Sequence, residues 1–380
     1  MRVYQNIIKN DMFFNQFQDY IKNESIPNAF LFYGGEGVGK FAHAVELSYI
    51  LLSQKEDSDI TYKKIKNNRH ENIHYISPLP RSKSIKKNDA VLKALSDIDI
   101  ENIQKQIKLK LSNPYHRISI DKANTILINS IRDIKSKINL SSYNNQWNIY
   151  IITNAEKLCY PRTESGNALL KILEEPNENN LFILLTSNIS QVLDTITSRC
   201  TKFFFPNPSN QSIKEYLINE NKFDEKDSKI IANICCGNIT LALSLFDNFE
   251  KKLSQFNTIT KLIFDYDLKE WNKLSMKLKN QDEIKLLCNL LIIFLTDVIQ
   301  YTSSKDLRFN YLSKEIDKWY NRYNIEDLYS AIEIINKFIE NMGKNTYLPL
   351  LFAAFYIEIN QSLNRSNFRK KNFSNYSLSI

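Results

Sequence analysis

The stretch Gly34-Gly35-Glu36-Gly37-Val38-Gly39-Lys40-Phe41 decides how the rest of the chain is read. It follows a short apolar run, Ala29-Phe30-Leu31-Phe32-Tyr33, and precedes one that reads as helix, Ala42-His43-Ala44-Val45-Glu46-Leu47. Strand, glycine loop, lysine, helix is the architecture of a phosphate-binding loop. Its glycines let backbone N–H groups turn towards phosphate oxygens, and the helix N-terminus adds partial positive charge. Lys40 would reach the β- and γ-phosphates, so Gly34, Gly37, Gly39 and Lys40 are the candidate nucleotide-binding residues. One position departs from the pattern. Where a Ser or Thr hydroxyl would hold Mg²⁺ stands Phe41, which cannot bind a metal. The loop is either a working nucleotide site or the retained shell of one.

A second departure lies in Ile149-Tyr150-Ile151-Ile152, a β-branched apolar run that reads as a buried strand. In nucleotide hydrolases of this plan such a strand ends in Asp, for Mg²⁺, often followed by Glu, which activates water. Here those places hold Thr153 and Asn154. Glu156 comes later, where the chain is expected to have turned away. Metal site and base are thus both missing, in two separate motifs.

Around these motifs, strands at 181–185 and 202–205 alternate with helices at 11–22 and 168–173, which implies a mostly parallel sheet covered on both faces. Residues 53–118 are polar, with few helix or strand signals before Ala90. Between Arg81 and Lys110 they carry eight basic residues against four acidic ones, and they read as a solvated surface insertion, with a basic contact for DNA or a partner as the alternative. After Pro208 the pattern is purely helical, clearest at 282–301, 325–342 and 347–359, and the tail from 364 is basic and expected to be disordered.

The chain has 380 residues, enough for two or three domains, with 43% hydrophobic and 24% charged residues, ordinary for a globular protein. A net charge of +8 permits a nucleic-acid or acidic partner without demanding one. The longest apolar run, 286–295, contains Cys288 and Asn289 and falls short of the ~20 residues of a membrane span. No membrane attachment is expected. The first residues lack the apolar segment of a signal peptide, and the five cysteines form no CxxC pair. Both features fit a reduced, cytoplasmic setting.

The segment Ser165-Gly166-Asn167-Ala168-Leu169-Leu170-Lys171-Ile172-Leu173-Glu174-Glu175-Pro176 resembles the NALLKxLEEP segment of bacterial clamp-loader subunits of the AAA+ class. Further on, Asp194-Thr195-Ile196-Thr197-Ser198-Arg199-Cys200 is similar to their I-x-S-R-C segment. Leu185-Thr186-Ser187-Asn188 resembles their sensor-one strand end, and Ile26-Pro27-Asn28-Ala29-Phe30-Leu31-Phe32 the strand into their phosphate loop. The resemblance covers residues 1–250 well and the remainder loosely, through 341–359.

It implies an α/β RecA-like AAA+ domain with a parallel sheet at about 1–206, a small helical lid at 207–250 and an all-α collar at 251–363. Within the family the defects favour the non-hydrolysing, delta-prime kind of DNA polymerase III subunit. A motor subunit needs Ser or Thr after the loop lysine, the Asp-Glu pair and a lid arginine; Thr240 stands where that arginine would be. Arg199, between Ser198 and Cys200, would then act in trans as an arginine finger on a neighbour's ATP. No independent activity and no nucleotide requirement are expected of this subunit. The implied partners are the motor (gamma/tau) and delta subunits, met through the collar and the Arg199 face, with the sliding clamp and primed DNA reached through the complex. The alternative is an ATP-hydrolysing motor subunit with a divergent site.

Two further patterns carry less. Many family members have a four-cysteine zinc module after the phosphate-loop helix, but residues 50–120 contain no Cys, so no structural zinc is expected. His70-Glu71-Asn72-Ile73-His74 fits the HExxH pattern of zinc proteases, a remote alternative. That pattern needs both imidazoles on one helical face, whereas this stretch runs into an extended segment and Pro78. His43 and His116 read as ordinary core or loop residues.

Overall fold

A computed structural model describes residues 3–4, 7–83, 89–120, 122–140, 146–175, 178–221, 224–246, 248–278, 280–303, 307–342 and 347–364. The expected disordered tail therefore lies, from residue 365 on, outside the described residues, as does Pro176. The chain divides into two units, one of Met1–Glu225 with Gly237–Thr240, the other of Lys226–Cys236 with Leu241–Ile380.

The first unit is built on one sheet of five strands: β1 (Ala29–Tyr33), β2 (Ile73–Ile76), β3 (Asn148–Ile152), β4 (Asn180–Thr186) and β5 (Thr201–Phe204). Their order is β2-β3-β4-β1-β5, and every neighbouring pair is parallel. The glycine loop leaves the C-terminal end of β1, which lies between β4 and β5, so the loop opens beside the ends of the central strands. This is the position where open parallel sheets place ligands.

Side chains alternate across a strand, and here the alternation sorts them into two apolar layers. Phe30 and Phe32 enter one layer, Ala29 and Leu31 the other. The first layer is closed by α1 (Asp11–Lys22), α2 (Lys40–Leu52), α3 (Ser58–Lys66) and the end of α4 (Asp97–Ser112), through Phe13, Phe17, Val45, Ile65 and Leu111. The second is closed by α5 (Ile128–Leu140), α6 (Glu164–Glu174) and α7 (Asp194–Thr197), through Ile131, Ile134, Leu169, Ile172 and Ile196. A further helix, α8 (Asn210–Asn221), follows.

The polar stretch 53–118 is more ordered than its composition suggests, since it contains α3, β2 and α4. β2 is an edge strand of four residues, too short to show periodicity among the lysines and asparagines around it. α4 buries only Leu111 fully, so its apolar stripe is faint. Its start is marked instead by a capping box, in which Ser96 Oγ accepts the Asp99 N–H at 3.2 Å and Asp99 accepts the Ser96 N–H at 2.9 Å.

The regular structure of the second unit is helical. It comprises most of α9 (Glu225–Cys235) and α10 (Ile239–Phe246), then α11 (Phe249–Asp265), α12 (Leu268–Lys277), α13 (Gln281–Ile299), α14 (Ser313–Arg322), α15 (Ile325–Met342) and α16 (Leu348–Leu363). Trp271 of α12 stacks on Tyr356 of α16 at 4.7 Å between centroids and donates its indole N–H to the Phe352 carbonyl at 3.2 Å. The Tyr356 hydroxyl donates to the Leu262 carbonyl at 3.0 Å, which ties α16 to α11. Among the described residues no helix is long and apolar enough to cross a membrane.

Candidate functional site

The glycine loop and its surroundings form a cavity of about 270 Å³ within the first unit. Gly37, Gly39 and Lys40 line it, together with Phe41, Thr153, Ser187 and Thr240. Gly34 underlies it, because Lys40 Nζ donates to the carbonyls of Gly34 and Gly35 at 2.7 and 2.5 Å. Two glycines are needed for steric reasons. At Gly34 (φ +144°) a Cβ would overlap the Phe205 carbonyl oxygen, and at Gly37 (φ +72°) it would overlap the Asn238 side-chain oxygen. His43 fixes the loop from behind. Its Nε2 accepts the Asn10 N–H at 3.0 Å, so Nδ1 carries the proton and donates to the Gly39 carbonyl at 2.9 Å.

Lys40 is buried, with its ammonium turned onto the loop's own carbonyls and 3.4 Å from Ser187 Oγ. Burial lowers its pKa to about 8. Phe41 has joined the apolar layer below, its ring 5.9 Å from that of Tyr75. Thr153 turns back on β2, its N–H and hydroxyl both donating to the Ile76 carbonyl, at 2.8 and 3.3 Å. Asn154 takes a left-handed conformation (φ 53°, ψ 53°) and donates to Glu156 at 3.4 Å. Glu156 has not turned away as its position in sequence suggested. Its Oε2 accepts the Thr186 hydroxyl at 2.6 Å, and its charge is felt by Lys40.

A magnesium ion needs several oxygen ligands at close to octahedral geometry. The chain offers an aromatic ring at Phe41, a single neutral hydroxyl at Thr153, and no carboxylate at 153 or 154. The residues present do not fit the metal.

Four cationic side chains line the cavity, Lys40, Lys110, Arg117 and Lys157, against one acidic one, Glu36. Lys110 belongs to the run read from sequence as a surface patch; the fold carries it inward. Its Nζ donates to the His116 carbonyl at 2.6 Å and lies 5.2 Å from the centroid of the Phe41 ring. Burial, with a smaller push from Lys40, lowers its pKa to about 7. No sequence signal separated it from its neighbours Lys105 and Lys108, because its role depends on where the last turn of α4 ends. Thr240 closes one side: its hydroxyl donates to the Tyr115 carbonyl at 2.8 Å, while Ile239 N–H donates to the Gly37 carbonyl at 3.3 Å.

Arg199 is not among the residues lining this cavity. It follows α7 on the surface, with Nη2 donating to Glu174 at 2.8 Å and Nη1 to the Thr195 carbonyl at 2.9 Å. Ser198 caps the same turn, its hydroxyl donating to the Thr195 carbonyl at 3.1 Å. Cys200 is buried, and burial pushes its thiol up to about 12. In this segment Ser198 and Arg199 face outward, and Cys200 is the inward anchor.

The HExxH stretch is not a helix. His74 lies in β2 and stacks on Tyr150 at 4.9 Å, whereas His70 precedes the strand and bonds Glu56 at 3.1 Å. The two imidazoles have separate partners and do not share a helical face.

Residues 9–209 match the family model described as "DNA polymerase III, delta subunit". Among curated proteins the chain is similar to the DNA polymerase III subunit tau of Bacillus subtilis, 26% identical over 66% of this chain and 49% of that protein. It is also similar to the DNA polymerase III subunit delta' of Buchnera aphidicola, 32% identical over 46% of this chain and 48% of that protein. The chain spans about half the length of these relatives. Among solved structures, a DNA polymerase III gamma subunit-related protein of Thermotoga maritima aligns over 91% of this chain and 99% of that one, at a TM-score of 0.42 and 14% identity.

Proposed function

The chain belongs to the DNA polymerase III, delta subunit family, and on that premise we propose that it is the non-hydrolysing, delta-prime subunit of a clamp loader. In this role it helps place a sliding clamp on primed DNA in replication, in the cytoplasm. The observation that carries this reading is a division of chemistry between two places. The glycine loop keeps its lysine but lacks a magnesium ligand at Phe41, Thr153 and Asn154, whereas Arg199 stands exposed on a turn anchored by Cys200. A guanidinium is always charged and matches phosphate oxygens with two parallel N–H groups. Delivered to a neighbouring subunit's ATP it is worth ~10³–10⁵ in rate. Partners in this reading are motor (gamma/tau) and delta subunits, met through the second unit's helices and the Arg199 face.

The test is reconstitution with motor and delta subunits, comparing wild type with Arg199→Ala. The expected outcome is an assembled complex with strongly reduced ATP turnover; a variant complex that turns over at the wild-type rate removes Arg199 from this role.

A second reading, an ATP-hydrolysing motor subunit, is favoured by the tau relative, which aligns over more of this chain than the delta' relative does. It predicts that the chain alone hydrolyses ATP with Mg²⁺ and primed DNA, and that Lys40→Ala abolishes the turnover. The missing carboxylates at 153 and 154 argue against it.

A further inference from the structure

We propose that the cavity over the glycine loop is a magnesium-independent site for a linear phosphate chain, in which the Lys110 ammonium occupies the role that a metal ion has in related sites. This goes beyond the role proposed for Arg199 and does not depend on it.

Three observations converge. The first is replacement at one position. Phe41 fills the place of the metal-holding hydroxyl, and a cation, Lys110 Nζ, lies 5.2 Å from the centroid of that ring. The aromatic ring that stands in place of the metal-holding hydroxyl favours a side-chain ammonium beside it.

The second is charge. Lys40, Lys110, Arg117 and Lys157 line the cavity against Glu36 alone. Beside the cavity, Glu156 is bonded to the Thr186 hydroxyl and its charge also reaches Lys40, and the Lys157 ammonium lies 5.0 Å from the Tyr160 ring centroid. Lys40 lies close enough to Lys110 to lower its proton affinity, in addition to the effect of burial. Holding two ammonium groups together in a partly desolvated space is unfavourable unless an anion joins them. Lys110 has three donors, and one of them is committed, to the His116 carbonyl.

The third is shape. The left-handed glycines keep the loop open for close backbone approach, and Gly37 and Gly39 both line the cavity. At about 270 Å³ the space falls just below the ~300–1,000 Å³ of pockets that bury drug-sized molecules, which suits a phosphate chain. The chain could be inorganic or the tail of a nucleotide.

Calorimetric titration of the full chain with tripolyphosphate and with ATP, each in EDTA and in excess Mg²⁺, tests this. Binding is expected in EDTA, and weaker binding in Mg²⁺, because the metal competes with Lys110 for the same oxygens. Comparable affinities identify an inorganic chain as a sufficient ligand; ATP tighter by about tenfold or more identifies a nucleotide. Lys110→Met is expected to weaken binding about tenfold or more, and Lys110→Arg to retain most of it. Absence of binding by either ligand in EDTA, affinity that increases with Mg²⁺, or a folded Lys110→Met that binds like wild type overturns the proposal. Should Lys110→Met not fold, the magnesium dependence of the wild-type chain still decides.

Discussion

Arg199 is held by Glu174 across 2.8 Å, from two residues past α7 to the last residue of α6, with both side chains substantially exposed. An exposed pair of this kind is worth about 0–1 kcal/mol, so it orients the guanidinium without locking it. A phosphate group, with more charge and more acceptor oxygens, would displace the carboxylate readily. Glu174 is thus a resting place for Arg199 in the free chain. Glu174→Gln is expected to shift the melting temperature by no more than about 2 °C and to leave ATP turnover of the reconstituted assembly at or above the wild-type level. Loss of turnover in that variant would mean that Glu174 does more than park the arginine.

Phe41 has changed from a ligand position to a packing position, and this gives a second prediction. It is buried in the layer that includes Val45 and Leu47 of α2. Phe41→Ala is expected to lower stability by about 3 kcal/mol in urea unfolding, through lost transfer energy and a residual cavity. Phe41→Ser would restore the hydroxyl of a phosphate loop and still give no ATPase, because positions 153 and 154 carry no carboxylate. ATP turnover in Phe41→Ser above that of the wild-type chain would show that a carboxylate elsewhere, with Glu156 the nearest candidate, can serve.

Gly37 couples the loop to the segment 237–240. Its carbonyl accepts the Ile239 N–H at 3.3 Å, and a Cβ would lie 2.8 Å from the Thr240 amide nitrogen besides striking Asn238. Gly37→Ala combines a left-handed alanine with that collision, so a loss of about 1–3 kcal/mol is expected. Amide exchange locates the damage: the Ile239 N–H should exchange faster in the variant, whereas amides of β4 should change only as far as global stability falls. Unchanged exchange at Ile239 would mean that the segment is held by Thr240 and Tyr115 alone.

The parallel sheet was legible because β3 and β4 are unbroken apolar runs and the glycine loop announced β1. The unbroken apolar run 29–33 marks a strand buried on both faces, with Phe30 and Phe32 on one face and Ala29 and Leu31 on the other. β2 was legible only as an extended segment before Pro78: four residues at an edge, one of them a histidine, sit among lysines and asparagines. The candidate site was half legible. Gly34, Gly37, Gly39 and Lys40 follow from local spacing, since one turn of chain brings them together. Lys110, Arg117 and Tyr115 reach the same cavity from some seventy residues away, and the packing of Leu111 into the first apolar layer decides that. A long-range contact of this kind leaves no trace in spacing. Glu156 shows the same limit in reverse, because a short 3₁₀ turn at Ala155–Cys159 returns it towards Thr186.

Lys110 also makes stability depend on pH. In the folded chain its pKa is about 7, whereas an unfolded lysine titrates near ~10.4. Between those values the unfolded chain binds more protons than the folded one, so stability rises with pH from about 7 towards 10 and is lowest below the folded pKa. The groups around Lys110 are Lys40, Glu36 and His116. Lys40, at about 8, acts in the same direction, and His116, lowered by burial and by Lys110, extends the trend below neutrality. Glu36 opposes it by favouring the charged lysines. Lys110 is half-buried, so water screens part of the repulsion on its ammonium. Lys110→Met, which keeps most of the stem's volume, is expected to raise the melting temperature at pH 7 by about 2–5 °C and to flatten the rise above it. The Lys40 contribution should remain. The melts belong in a phosphate-free buffer, since an anion in the cavity would compensate the two ammonium groups and hide the slope. A melting temperature for the wild-type chain that falls between pH 7 and 9, or a Lys110→Met variant that is less stable than wild type throughout that range, would place the Lys110 ammonium in water instead of in the cavity.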